Sequence, residues 1–267
     1  MSNGAAALYE RNGSIVTVTL NRPREKNAIS DELIADLELA CERANRDLSV
    51  SCMILTATEG VFCAGGNIKD MQAKRGLFGL SAVQTRLGYQ CGVQRIPLAF
   101  YDLHVPVIAA VNGPAMGAGL DLALMCDLRV ASESATFGES FINVGLTAGD
   151  GGAWLLQRAV GRAIAFELTL TGDSISARQA LEYGLVSRVV PAPELQATAR
   201  SLAERIARHP PHSIRLNKRL LRESARTDLP TALEIAAGMQ AIVQQTRDFG
   251  EAVEAVVGKR PGAFRGE

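Results

Sequence analysis

Two stretches of the chain place glycines after an apolar run and before a helical pattern: Phe62-Cys63-Ala64-Gly65-Gly66-Asn67-Ile68-Lys69 and Asn112-Gly113-Pro114-Ala115-Met116-Gly117-Ala118-Gly119-Leu120-Asp121. A helix start leaves its first backbone N–H groups without carbonyl partners, and the aligned peptide dipoles add a positive field there. Such groups suit a bound phosphate or an oxygen that turns negative during a reaction. The phosphate reading fails on spacing. A dinucleotide fingerprint requires G-x-G-x-x-G, whereas Gly117-Ala118-Gly119 continues with Leu120-Asp121-Leu122, and no G-x-x-x-x-G-K-[ST] occurs. Two loops that each aim one N–H at the same point make an oxyanion hole instead.

Proton-transferring groups are the necessary complement. Asp121 stands in an otherwise apolar helical stretch, one turn into the second loop's helix, and a buried carboxylate there is unfavourable unless used or paired. It is predicted to be catalytic, with a pKa raised by burial. Asp150, inside Gly149-Asp150-Gly151-Gly152 and just before another apolar helix, has two readings: a helix N-cap or a second catalytic acid. Glu133 and Glu139 are reserves, because a charge at a strand end is usually solvated. Trp154 is expected in the core. His104, His209 and His212 have no metal-ligand spacing, and Cys41, Cys52, Cys63, Cys91 and Cys126 contain no CxxC pair, so no metal site and no disulfide framework is expected.

The elements that must position these groups follow from periodicity. Ser14 to Leu20 alternates in the manner of a strand. Asn21-Arg22-Pro23 turns the chain, and Ser30 caps a helix with Leu33, Leu37, Ala40, Cys41 and Ala44 on one face. Cys52 to Leu55 and Val107 to Val111 are short apolar strands, the latter buried on both faces, and an interrupted helical stretch runs from about Met71 to Leu103. A helix from Gly117 to Met125, a strand from Leu128 to Ala131, and helices over 153–160 and 163–170 complete a βα-rich part. After Pro191 only helical patterns remain, at 195–208, 213–223 and 229–249, followed by an extended tail from Gly258. The expected division is therefore a βα core over 1–190 that carries the site and a helical region over 191–267.

The chain has 267 residues, 28 Lys+Arg and 28 Asp+Glu, and a pI near 6.8. Neither nucleic acid nor an anionic membrane finds clustered positive charge here. Met1 to Gly13 lacks a leader pattern and no run of about 18 apolar residues occurs, so the expected compartment is the cytoplasm.

Taken in order, the two glycine loops, Asn21-Arg22-Pro23 with Asn27-Ala28, Val107-Ile108-Ala109-Ala110-Val111-Asn112-Gly113, Met125-Cys126-Asp127-Leu128-Arg129, Thr171-Gly172 and Gly184-Leu185-Val186 resemble the crotonase (enoyl-CoA hydratase/isomerase) superfamily over most of the chain. The resemblance implies an α/β spiral of βα turns with a C-terminal helical trimerisation region. It also implies an acyl-CoA thioester as substrate, no separate cofactor, CoA entering with the substrate, and a homotrimer or dimer of trimers. It places the two oxyanion donors on the backbone N–H groups of Gly66 and Ala118. Lys26, Ala28, Ala64, Gly66, Asn67, Ile68, Lys69 and Gly117 fall at CoA- or substrate-binding positions, with Asn67 where the family usually has Asp.

The resemblance is not uniform. Enoyl-CoA hydratases use two glutamates around one water; the first falls on Asp121 and the second on Phe141, which cannot transfer a proton. Dienoyl-CoA isomerases share an Asp at position 121 and an acid near position 150. The 6-oxocamphor hydrolase branch, which cleaves carbon-carbon bonds of β-diketones, shares Gly149-Asp150-Gly151. The expected activity is a lyase or isomerase reaction on an acyl-CoA in fatty-acid or related catabolism, with Asp121 and Asp150 as the catalytic acids. A β-dicarbonyl hydrolase and a silent acyl-CoA-binding homologue are the alternatives. Phe100 and Tyr101 fall where the acyl pocket of the family varies most.

Overall fold

A computed structural model describes residues 4–58 and 60–267. The reading of Met1 to Gly13 as free of a leader pattern begins on residues 1–3, outside the described residues. In chain order the elements are β1 (Ala7–Asn12), β2 (Ile15–Leu20), α1 (Asp31–Arg46), β3 (Cys52–Ala57), α2 (Ile68–Gln72), α3 (Ala82–Cys91), α4 (Arg95–Asp102), β4 (Val107–Val111), β5 (Ala115–Met116) and α5 (Ala118–Met125). They continue with β6 (Leu128–Ser132), β7 (Thr136–Gly138), α6 (Gly152–Val160), α7 (Arg162–Thr171), β8 (Ser174–Ser176), α8 (Ala177–Glu182), β9 (Arg188–Val190), α9 (Leu195–Ala207), α10 (Pro211–Ser224), α11 (Leu229–Gln244) and α12 (Arg247–Val257).

The strands form two sheets. The larger runs β1-β2-β3-β4-β6-β9, parallel except for the β1–β2 hairpin, and the smaller runs β5-β7-β8. The continuous apolar run of β4 is explained by cover on both faces. Val107, Ala109 and Val111 belong to the main core, whereas Ile108 and Ala110 join Ile54 and Val130 against Leu195, Ala199, Leu202 and Ala203 of α9. A helix from the all-helical part of the chain thus seals the back of the sheet.

Ser30 caps α1 by accepting from the Leu33 N–H at 3.3 Å, as its position requires. The interrupted stretch from Met71 to Leu103 resolves into α3 and α4 with single turns before them. The pattern at 229–249 is two helices, because Thr246 accepts from the Phe249 N–H and starts α12 anew. The short strands β5, β7, β8 and β9 have no counterpart in the periodicity reading, because two or three residues are too few to show a period, and β1 and α8, of six residues each, have none either. Among the described residues no helix is long and apolar enough to cross a membrane.

Candidate active site

The first glycine loop is held by the turn that precedes α1. Asn27 has a left-handed backbone, φ 52°, and is buried; its Nδ2 donates to the Val61 carbonyl at 2.9 Å and its Oδ1 accepts from the Arg22 N–H at 2.8 Å. The Ala64 N–H donates to the Lys26 carbonyl and the Ile29 N–H to the Gly65 carbonyl, at 3.0 and 2.9 Å. These bonds account for the Asn-Arg-Pro…Asn-Ala pattern: it is a clamp on the loop. The second loop reaches the first through the Met116 N–H, which donates to the Cys63 carbonyl at 3.0 Å. The two backbones approach so closely at Gly65, φ 79°, that a β-carbon there would collide with the Met116 carbonyl and stand 3.1 Å from the Ala118 nitrogen.

Gly66 and Ala118 accordingly open into one cavity of about 640 Å³. Ala118 is the first residue of α5, after Gly117 at φ 51°, so its N–H has no intrahelical acceptor. No backbone hydrogen bond among the described residues uses either N–H. Ala64, Asn67, Ile68 and Gly117 also line this cavity. Asn67 caps α2, its Oδ1 accepting from the Lys69 N–H at 3.0 Å. Lys26 and Lys69 are exposed and Ala28 is buried, and none of these three belongs to the wall.

The carboxylates are arranged in depth. Asp150 is buried and lines the cavity, on a loop pinned by Gln94 Nε2 donating to the Gly149 carbonyl at 2.9 Å. The helix-cap role considered for it is not realised: Gly151 occupies the N-cap of α6, no side chain caps it, and Asp150 Oδ1 has no partner. Asp121 lies behind the wall, wholly buried, and its Oδ2 accepts from the Gly152 N–H at 3.0 Å. The first N–H of α6 is therefore anchored by Asp121, from another helix. Phe141 stands in the cavity wall beside Ser140 and Leu146.

Glu139, a solvated reserve by sequence, is wholly buried against Asp121. Residue 139 follows β7 and shares the face of Phe137, which is in the core, so the signal was the two-residue spacing from an inward aromatic. Burial pushes Asp150 up to about 6 and Glu139 up to about 7. Asp121 is raised well above the ordinary carboxylate range, first by burial and then by the negative charges of Glu139 and Asp150, against the Gly152 hydrogen bond. Tyr89, in the cavity wall, is raised by burial and by Asp150.

Three aromatic expectations are corrected. Phe100 is core, and Tyr101 and Trp154, packed edge to face at 6.1 Å, line a separate groove of about 740 Å³ with α10. Trp154 is 46% exposed because α6 turns that face outward, with Arg158 stacked on the ring. Among the described residues no group of three His, Cys, Asp or Glu side chains is disposed to hold a metal ion.

This arrangement offers two convergent backbone donors and one cavity-facing carboxyl poised near neutrality. It can hold an oxygen as negative charge builds on it while a proton is moved at a neighbouring carbon. The family model described as Enoyl-CoA hydratase/isomerase matches residues 10–267. The chain is 34% identical over 259 residues to 2,3-dehydroadipyl-CoA hydratase of Escherichia coli, covering 97% of this chain and 98% of the relative. It is 35% identical over 254 residues to 1,2-epoxyphenylacetyl-CoA isomerase of the same organism, covering 95% of each. A crystal structure of enoyl-CoA hydratase from Bacillus anthracis superposes with a TM-score of 0.91 at 34% identity, over 98% of this chain and 100% of that one.

Proposed function

Since the chain belongs to the enoyl-CoA hydratase/isomerase (crotonase) family, we propose that it binds an unsaturated acyl-CoA thioester and moves a double bond by a 1,3-proton shift. The thioester oxygen sits between the N–H groups of Gly66 and Ala118, each donor contributing about 3 kcal/mol as the oxygen becomes an enolate. Asp150, ionised, takes a proton from the substrate carbon and returns it to a second carbon of the same face. Asp121 supports it from behind by fixing the start of α6. The acyl-CoA runs along Ala64, Asn67 and Ile68, with the acyl part towards Phe141 and Tyr89.

The observation that carries this reading is that Asp150 is the buried carboxylate of the cavity wall, while Asp31, Glu32 and Asp70 lie towards solvent. Hydration needs one proton given and one taken around a water, and Phe141 occupies a place from which neither is possible. A single acid/base suffices for isomerisation. The same unpaired Asp150 Oδ1 would also suit water activation, so cleavage of a β-dicarbonyl compound is the second reading.

Incubation with a 3-enoyl-CoA and, separately, with crotonyl-CoA distinguishes them. The expected result is gain of conjugated-thioester absorbance from the former with no change in mass. Hydration of crotonyl-CoA without isomerisation, or release of a carboxylic acid from a β-diketone alone, would overturn the isomerase reading.

We also propose that the helical region joins copies of this chain into a trimer or dimer of trimers. α11 contributes no buried residue although Leu229, Leu233 and Ile242 are on it, and Val253, Val256 and Val257 of α12 are exposed as well. A monomer in sedimentation at micromolar concentration would refute this.

A further inference from the structure

Asp121 and Glu139 meet at a point where the chain supplies no counter-charge. A β-carbon on Gly152 would strike Asp121 Oδ1 and Glu139 Oε1 together, so the two oxygens converge on the same small space. Both are without a hydrogen-bond donor, as is Glu139 Oε2. Two ionised carboxylates so placed repel one another in a medium that solvates neither. A proton between them removes the repulsion and makes an O–H···O⁻ bond of the strong, charge-assisted kind.

Among the described residues no cation is paired with either carboxylate. The elements packed most closely on α5 are α4, α6 and β5. On α4, Arg95 is paired with Glu38 and Asp102 is exposed; on α6, Arg158 lies over the Trp154 ring; β5 has no ionisable group. Around β7, β8 has none, and Arg178 of α8 is paired with Glu182 at the surface. From the cavity side the wall carries Asp150, Tyr89, Asp31, Glu32, Asp70 and one cation, Arg75, which is exposed and paired with Asp70 at 3.3 Å; Cys63, buried nearby, is held neutral by burial.

We propose that Asp121 and Glu139 hold one proton between Oδ1 and Oε1 as a single acid–carboxylate pair. Glu139 is thereby a positioning residue: it holds Asp121, whose Oδ2 fixes the first N–H of α6 two residues after Asp150, and never touches substrate. The role assigned to Asp150 rests on the isomerase reading; the shared proton does not. Gly152 completes the device. Its N–H holds Asp121 Oδ2 while the absence of a side chain leaves room for Oδ1 and Oε1 to approach. The pair titrates as a unit and not as two independent acids.

Infrared spectroscopy of the unliganded protein reads the proton directly. At neutral pH a buried carboxylic-acid C=O band is expected, shifted by isotopic labelling of Asp or Glu carboxyl carbons and retained in Asp150→Asn. It should vanish in Asp121→Asn and in Glu139→Gln, because the amide then donates an N–H to the remaining carboxylate and no proton is needed. Either variant suffices should the other fail to fold. Absence of the band in the wild type at neutral pH would overturn the proposal.

Persistence of the infrared band with no isomerase activity in the wild type would leave the pair intact and remove only the reading of Asp150.

Discussion

At the mouth of the cavity the chain presents backbone, and one layer deeper it presents charge. Gly66 and Ala118 offer N–H groups whose direction is fixed by the Asn27 clamp, the Cys63–Met116 bond and the start of α5. Behind them Asp121, Glu139 and Asp150 are buried carboxyls whose direction is fixed by little more than each other and the first turn of α6. The first region works through main-chain groups and is intolerant of any change that moves the backbone, a side chain at Gly65 included. The second tolerates a change of shape poorly and a change of charge least of all. On the proposed reading such a site divides its work: electrostatic stabilisation falls to the main chain, and proton transfer to buried carboxyls.

Changes that break one region and spare the other sharpen the contrast. The largest effect is expected from Asp150→Asn, which leaves both oxyanion donors in place and should lower kcat by roughly 10³-fold, near the upper part of what a lost acid/base group removes. Ala118→Pro is the converse. Proline is tolerated at the first position of a helix, so α5 should persist while its donor is gone, and a loss of about 10²- to 10³-fold in kcat is expected from steady-state kinetics. Gly152→Ala drives a methyl group into Asp121 and Glu139 and should lower stability in denaturant unfolding by about 2 kcal/mol, with no effect on the glycine loops.

The smallest of these effects is a pH dependence of stability. Unfolded carboxyls ionise near pH 4, whereas in the fold Asp150 keeps its proton to about 6 and Glu139 to about 7. The folded state therefore binds more protons across that window, and stability contributed by these groups, complete at low pH, is lost as pH rises through 6 to 7. Stability in denaturant unfolding should therefore fall between pH 5 and pH 8, and Glu139→Gln should flatten part of that slope. A stability that instead rises across the window would mean that the cluster is ionised in the fold.

The mouth was legible because its geometry is written in residue types. Gly65 and Gly117 adopt positive φ and Asn27 a left-handed turn, conformations that few residues tolerate, and the apolar runs before the loops name the strands that aim them. The depth order of the carboxylates was not. Asp121 stands in an apolar helix, and nothing in its local pattern tells that the first N–H of α6 takes its Oδ2 as an anchor. Asp150 had the position of a helix cap, but the cap fell one residue later on Gly151 and left the carboxyl facing the cavity. Both outcomes depend on where α6 docks on α5, a contact between segments about 30 residues apart that no local pattern encodes. Glu139 shows the same limit more sharply, since only its spacing from Phe137 reveals that it points inward.

The most direct test sets the two aspartates side by side. With a 3-enoyl-CoA in deuterated water, exchange of the substrate α-hydrogen should be abolished in Asp150→Asn and should persist in Asp121→Asn, because on the proposed reading the group that faces the cavity moves the proton and the group behind it only fixes the start of α6. Exchange lost in Asp121→Asn and kept in Asp150→Asn would contradict that order and make the buried aspartate the acid.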